Sequence, residues 1–421
     1  MKINHFLSYG LIIVLFFSSL TQFISINFQI ERIRFKPNGL NQSWSIPLGF
    51  HGQDIAFDSN NCIYILGSSE LIKYNSSGVP LWSIELDGFS IDYPMIKIDS
   101  SNNLYLIGYI TYQGIGIFKF NSSSELQWQS IYLDGNIDYI HDIALDSEDQ
   151  IYIYGHLMSS HNLFLMKYNR SGSLSWFHEF GEIGISNFGY GVLIDSDNNI
   201  IISGRSSNFS SIYWLRSYNI SRDLQWSITR ERQSFPFLEL DSSNNVISIA
   251  GNRQLDVVKF DNSGYSVWNY TLESQFLNLE PRGGPPAPMK YRFRLTLDSS
   301  DNFYIGWTIE IPNDSYKTDV LIVKINNSGN FEEYLTWGDY HNDFLIEIGA
   351  DSNDNLYLLS GYYLLSEPYY FLIKNPVSNG KSLYRTNLWN LYLILFGISC
   401  LLSLTSLYFI IRARIRKNLI K

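Results

Sequence analysis

The chain is poor in cysteine: it has two, Cys62 and Cys400, in 421 residues. The first lies in an apolar stretch that reads as a strand, the second inside a long uncharged run near the C-terminus. They are not placed to meet, so no disulfide is expected and stability must come from a large core. Charge is scarce too, at 17 % of residues, and the net charge of −10 has the wrong sign for holding phosphates. A nucleic-acid partner is therefore not expected. No His-x-x-x-His or Cys-x-x-Cys spacing occurs, which argues against a metal centre. A Gly-x-Ser-x-Gly elbow and a phosphate-binding loop are also missing. The acidic residues Glu182, Glu310, Glu332 and Glu333 form no recognisable acid/base pair.

Aromatic residues, by contrast, make up 16 % of the chain. Aromatic and β-branched side chains fit half-buried pleated surfaces, so the balance favours an all-β fold over coiled coil or disorder.

Two segments carry membrane signals. From Leu388 to Ile411, 24 residues run without a charge. As a helix they would span roughly 36 Å at ~1.5 Å per residue, against a hydrocarbon core of ~30 Å. Trp389, Tyr392 and Tyr408 sit near its ends, and Arg412, Arg414, Arg416, Lys417 and Lys421 follow it. This bias places the tail (412–421) in the cytoplasm and the chain before Leu388 outside. At the other end, Lys2 precedes an apolar stretch from Phe6 to Phe17, which reads as a signal peptide or an uncleaved signal anchor within 1–25. Either version exports the middle of the chain. Nine Asn-x-Ser/Thr sequons agree with export, at Asn41, Asn75, Asn121, Asn169, Asn208, Asn219, Asn269, Asn313 and Asn326.

The fold is carried by a repeat. A box of the form Asp-Ser-x-x-Asn, then alternating apolar residues, recurs seven times, starting at Asp58, Asp99, Asp146, Asp195, Asp241, Asp298 and Asp351. Cys62 and Gln150 replace the last Asn in two copies. The spacings of 41, 47, 49, 46, 57 and 53 residues suit four strands and their turns. A second box follows in each unit: a basic residue, Asn or Asp two positions on, a Ser/Gly turn, then Trp. Examples are Lys73 to Trp82, Lys119 to Trp128, Lys167 to Trp176, Arg216 to Trp226 and Lys259 to Trp268. The sixth copy, from Lys324, ends in Tyr334, and the seventh stops at Lys374-Asn375. The missing strand stands at the start of the chain, as Asn38-Gly39 followed by Trp44. Seven Asp boxes match seven Trp-type strands only if the ends meet. The reading is an all-β, seven-bladed β-propeller over 33–375, its N-terminal strand closing the last blade, with a linker (376–387) and a C-terminal transmembrane helix.

These boxes resemble the SBBP-type β-propeller repeat of bacterial and archaeal surface proteins, in which an Asp-x-x-Gly-Asn box leads into a strand ending in Gly. The likeness covers roughly Lys36 to Asn375. Asn, Asp or Ser stands where that family favours Gly. The resemblance implies a fold and export, with no general activity.

With strands A to D in each unit, the A–B and C–D turns share one face and the B–C and D–A loops the other. The sequons at Asn75, Asn121, Asn169, Asn219 and Asn326 fall on C–D turns, as glycosylation candidates. Because the chain leaves blade seven on the turn face with 12 residues before Leu388, that face is expected to look toward the bilayer. The opposite face then carries the variable loops, the longest being 269–291 with its Pro281-to-Pro288 segment. Asp54, Asp92, Asp138, Asp142 and Asp343 are candidates for a ring at the channel mouth, suited to a cation, a polycation or a sugar. Asp195, Asp197 and Asn199 have the spacing of a Ca²⁺ loop without its Gly or distal Glu, and a plain turn is the favoured reading. No other cofactor is expected. The expected function is an outward-facing binding or scaffolding module for a protein or glycan partner. The alternative is an extracytoplasmic glycan-processing hydrolase or lyase.

Overall fold

A computed structural model describes residues 44–67, 69–86, 91–110, 114–181, 186–207, 211–231, 234–251, 255–272, 293–311, 314–338, 341–364 and 367–375. The N-terminal segment, the 273–292 part of the long loop, and everything from 376 onward, including the 388–411 run, lie outside these residues. Twenty-eight strands, numbered in chain order, form seven four-stranded antiparallel sheets. The third is typical. Strand β10 (Ile137–Leu145) pairs with β11 (Ile151–Leu157), which pairs with β12 (Leu163–Tyr168) and then β13 (Leu174–Phe180). The first strands of the seven sheets lie side by side around the axis. They are β2 (Gly52–Phe57), β6 (Ile91–Ile98), β10, β14 (Ser186–Ile194), β18 (Ser234–Leu240), β22 (Phe293–Leu297) and β26 (Asn342–Ala350).

The last sheet proves the ring closed. Its order is β1 (Trp44–Leu48), β28 (Glu367–Lys374), β27 (Leu356–Leu364), β26. Strand β1 runs antiparallel to β28 with Trp44 opposite Lys374 and Leu48 opposite Tyr370. The first and last strands of the described chain thus share one blade, which removes the open edge a bare last strand would present. Core packing follows the same ring. Ile63 and Ile65 of the first blade pack with Tyr357, Leu359 and Leu372 of the seventh, as Tyr105 and Ile107 of the second pack with Ile151 and Ile153 of the third.

The Asp box explains why each blade forms. The Asp is buried in six copies and half-buried at Asp298, and in all seven its Oδ1 accepts the backbone N–H groups two and four residues on, as from Ser101 (3.0 Å) and Asn103 (2.7 Å) to Asp99. The residue three positions on has positive φ in every copy, for example Asn102 at 63° and Asp149 at 59°. Asn and Asp tolerate that left-handed geometry, and they bring a side chain that Gly could not. It is used to join neighbouring blades. Ser59 N–H donates to Asn102 Oδ1 at 2.9 Å, and Ser100 N–H to Asp149 Oδ1 at 2.9 Å. The stitch continues through Ser147–Asn198, Ser196–Asn244, Ser242–Asp301 and Ser299–Asp354. Ser352 N–H closes it on Asn61 Oδ1 at 3.0 Å. Asx in place of Gly at this position therefore has a physical purpose: seven Asx side chains form a belt around the turn face.

A buried Lys completes the box in four blades, at 3.0 Å from Lys73 to Asp58, 2.8 Å from Lys119 to Asp99, 3.0 Å from Lys167 to Asp146 and 2.6 Å from Lys259 to Asp241. The Trp of the outer strand reaches forward to the next blade, where its ring N–H donates to a C–D turn carbonyl. Trp82 meets Ser122 at 3.0 Å and Trp128 meets Arg170 at 3.1 Å. Trp44 does the equivalent packing at the closure, where its ring lies against Gly78 of the first blade.

Candidate functional site

Two places near the axis gather chemistry. The first is the channel wall. In six of the seven inner strands a bulge or register shift precedes the residue four positions before the Asp box. Such bulges re-aim side chains. That position holds Asp54, Met95, Asp142, Gly191, Phe237, Arg294 and Glu347 around the ring, and two residues further on Lys97 and Glu239 occupy the same side.

Asp54 and Asp142 play matching parts. Each accepts the following backbone N–H (2.8 Å from Ile55; 2.9 Å from Ile143), and each reaches the next blade, at Ile96 N–H and Val192 N–H, both at 3.0 Å. Glu347 holds Arg294 Nε at 2.7 Å. Burial pushes Asp54 up to about 6, helped by Glu347 and opposed by Ile96 N–H and Lys97. Burial likewise lifts Glu239 to about 7, against the pull of Lys97. Glu347 is raised by burial and restrained by Arg294. Lys97 is exposed to solvent in the channel, and although crowding by the wall works toward deprotonation, Asp142, Asp54, Glu239 and Glu347 together hold its ammonium above the usual range.

The second place lies at the loop-face end of blades three and four. His156 is buried, with Nδ1 3.2 Å from Asp138 Oδ2. Its ring stacks on Phe188 (centroids 5.8 Å apart) and Tyr139 (5.3 Å), with His161 and His141 at 5.9 and 6.3 Å. The other face of this group is Arg205, whose guanidinium lies 4.4 Å from the Phe188 ring centre. His141 Nε2 accepts Gly189 N–H at 3.1 Å, which fixes that tautomer as neutral with the proton on Nδ1. A Cβ on Gly189 would come within 2.5 Å of the His141 ring, so a larger residue there would displace it. Burial lowers the His156 pKa, opposed by Asp138. The neutral imidazole is thus favoured, and its Nε2 is buried without a hydrogen-bond partner.

The five acidic candidates are not brought together as one ring. Asp54 and Asp142 stand in the channel wall at equivalent positions. Asp138 belongs to the His156 group, and Asp92 is exposed opposite Tyr109. Asp343 is 1 % exposed, its carbonyl accepting Thr318 Oγ1 at 2.7 Å. Lys97, Glu239, Arg294 and Glu347 were not singled out by motif. Their signal was the offset from the Asp box, four residues for Asp54, Asp142, Arg294 and Glu347, and two for Lys97 and Glu239. The offset of His141 from its box likewise gave no hint of its meeting with His156, and B–C loop geometry decides where His161 falls.

At the C–D turns the sequon residues act as turn caps. Asn75 Oδ1 accepts Ser77 and Val79 N–H, both at 3.0 Å, and Asn169 Oδ1 accepts Ser171 and Ser173 N–H, both at 3.0 Å. Asn121 and Asn326 cap in the same two-fold way, and Asn219 accepts Asp223 N–H at 2.8 Å. The fifth blade has Asp261 at this position with the same bonds, 2.9 Å from Ser263 and 2.9 Å from Tyr265. Asp195 uses Oδ1 on Asp197 and Asn199 N–H and Oδ2 on the Asn199 amide, as the other boxes do. Among the described residues no group of three His, Cys, Asp or Glu could hold a metal ion.

No family profile matches the chain, and no curated protein matches it. Among solved structures, it is similar to a protein of unknown function from Bacteroides caccae, at 14 % identity over 61 % of this chain and 82 % of that one, with a TM-score of 0.39. That likeness is too low to carry an argument. The propeller is established by its own strand pairing.

Proposed function

We propose that this protein is a membrane-anchored extracellular propeller that binds a protein or glycan partner on its loop face. The observation that carries the reading is the set of aromatic rings exposed on that face. Tyr93, Tyr363 and Tyr369 are 77 %, 51 % and 40 % exposed. Tyr93 also sits at φ 50° within the register shift of β6, a costly backbone state for a bulky residue. Strain that turns an aromatic ring into solvent suits a contact residue. Exposed aromatic rings supply rigid contact area for a partner or a sugar face.

The likeness of the Asp boxes to SBBP-type repeats fits an exported protein. Among the described residues no helix is long and apolar enough to cross a membrane, and the proposed anchor (388–411) lies outside them. Fractionation of cells expressing the whole chain tests the anchor: it should resist carbonate extraction and dissolve in detergent. Partner binding is tested by glycan arrays and pull-downs with the whole chain in detergent. Tyr93→Ala combined with Tyr363→Ala should abolish capture while leaving the circular dichroism spectrum unchanged. Capture unaffected by both changes would refute the loop-face reading.

A second reading draws on the channel. A carboxyl lifted toward neutrality is what a general acid needs, and Glu239 lies near Asp142 and Glu347. Hydrolase or lyase activity on polysaccharides, lost in Glu239→Gln, would favour this alternative. Yet Asp54 and Asp142 have their oxygens on backbone amides and Glu347 holds Arg294, which suits a structural wall better than a reaction centre.

A further inference from the structure

The C–D end of the molecule carries a circumferential apolar rim. Val79 and Leu81, Leu126, Leu174, Ile220 and Leu224, Tyr265 and Val267, and Phe331 are each 40 % exposed or more, and they come from six consecutive blades. All lie on C–D turns or within the first two residues of the strands that leave them. Just inside this rim stand Trp82, Trp128, Trp176, Trp226 and Trp268, half-buried against the turns. Apolar side chains backed by indoles whose N–H groups find a carbonyl are the chemistry of the bilayer interface.

The ring's connectivity points the same way. The C strand of blade seven ends at Lys374, on the turn face, and the uncharged 24-residue run begins 14 residues later at Leu388. The rim is therefore the part of the propeller held at the membrane in the proposed anchored protein. We propose that the C–D rim is a lipid-docking surface: the propeller lies with its turn face against the bilayer, the rim side chains entering the headgroup layer and the loop face pointing away. The inference rests on the anchoring reading and adds to it a contact surface and an orientation.

Its ligand chemistry is specific. The turns bear Glu125, Asp223, Asp261, Glu332 and Glu333 against Arg170 and Arg222, so anionic lipid would be repelled rather than attracted. The surface suits zwitterionic lipid and an apolar driving force, which salt does not screen. The capping role of the sequon residues is compatible with a turn face without glycans. Asp261 replaces Asn at one turn and keeps both hydrogen bonds, so Oδ1 and not a glycan accounts for the residue type at these positions.

The test uses the whole chain, reconstituted in phosphatidylcholine vesicles that contain a headgroup nitroxide lipid. In a Cys62→Ser, Cys400→Ser background, a fluorophore is placed at Leu174→Cys, Leu224→Cys or Tyr265→Cys on the rim, or at Tyr93→Cys or Tyr363→Cys on the loop face. All five sites are solvent-exposed, so labelling leaves the core intact, and circular dichroism checks each variant. Rim labels should be quenched at least threefold more than loop-face labels, with little change between low and high salt. Replacing Leu81, Leu174 and Leu224 together by Asp should remove the difference while the chain stays with the vesicles. Equal quenching on the two faces, or stronger quenching on the loop face, in chain that remains vesicle-bound would overturn the docking surface and leave the anchor standing. Chain that does not remain with the vesicles would overturn the anchor itself.

Discussion

At the scale of the residue, one carboxylate organises each blade. The Asp of the box caps its own turn and, in four blades, pairs with a buried Lys on the third strand. Lys119 has its ammonium on Asp99, its charge over the Tyr105 ring at 4.6 Å, and a hydrogen bond to the Tyr105 hydroxyl at 2.7 Å. Lys119→Met would strand Asp99 as a buried anion and should lower unfolding stability by about 3 kcal/mol, measurable as a fall in the urea midpoint. Adding Asp99→Asn should recover part of the loss, because the uncompensated charge disappears while the turn acceptor remains.

The channel residues set a pH dependence of their own. In the fold, Asp54 and Glu239 hold protons up to about 6 and about 7, above their ordinary values. The folded chain therefore binds more protons than the unfolded one between roughly pH 4 and 7, and this contribution to stability is lost as pH rises through that window. Asp99 and Asp241 are held below the ordinary range by their Lys partners and turn donors, although burial opposes this. Their contribution is present above about pH 4 and fades as pH falls through their folded values. Burial of His156, which lowers its pKa, opposes the gain from the channel acids below its ordinary value of 6.5. Glu239→Gln separates these effects. Its melting temperature should exceed that of the parent by about 1–3 °C at pH 8 and match it near pH 5. A gap that stays constant with pH would show that Glu239 does not titrate in this range.

At the scale of the element, the decisive strand is β1. Only five residues long, it shields the edge of β28 and brings Trp44 against the Gly78 turn and the edge of Tyr357, with ring centroids 6.0 Å apart. Trp44→Ala should cost about 3 kcal/mol, read from guanidinium unfolding. Removal of residues before Gly49 should go further, exposing β28 and giving concentration-dependent aggregation in light scattering. The sequence reading located this strand and its partner segment from a count of boxes, and the pairing of Trp44 with Lys374 agrees. The inner strand of blade three runs from Ile137 to Leu145 across a break in its alternation, a register shift at Ile140/Asp142. Periodicity cannot carry a strand across such a break.

At the scale of the molecule, the belt of Ser–Asx bonds and the forward-reaching Trp side chains make the blades near-equivalent. No single covalent junction between blades is then essential, since each seam carries the same kinds of contact. A circular permutant that opens the Asn169–Gly172 turn and joins Asn375 to Trp44 through a short turn should fold to the same far-ultraviolet spectrum, with one cooperative transition. A permutant opened within an Asp box, between Ser147 and Glu148, should be far less stable, because the cut removes the donor held by Asp146 at 3.0 Å.

The sequence by itself determined the number of blades, the turn that starts each one and the way the ends meet. Each of these depends on local chemistry repeated along the chain: a carboxylate within reach of its own backbone, an Asx residue tolerant of positive φ, and alternation of period two. Only the tertiary structure decided which charges share the channel and which rings meet His156. The channel neighbours are separated by whole blades, as Asp54 is from Ile96 and Glu239 from Lys97, and the His156 group joins Tyr139 and His161 of its own blade to Phe188 of the next, so the ring brings them together across distances that no local pattern records.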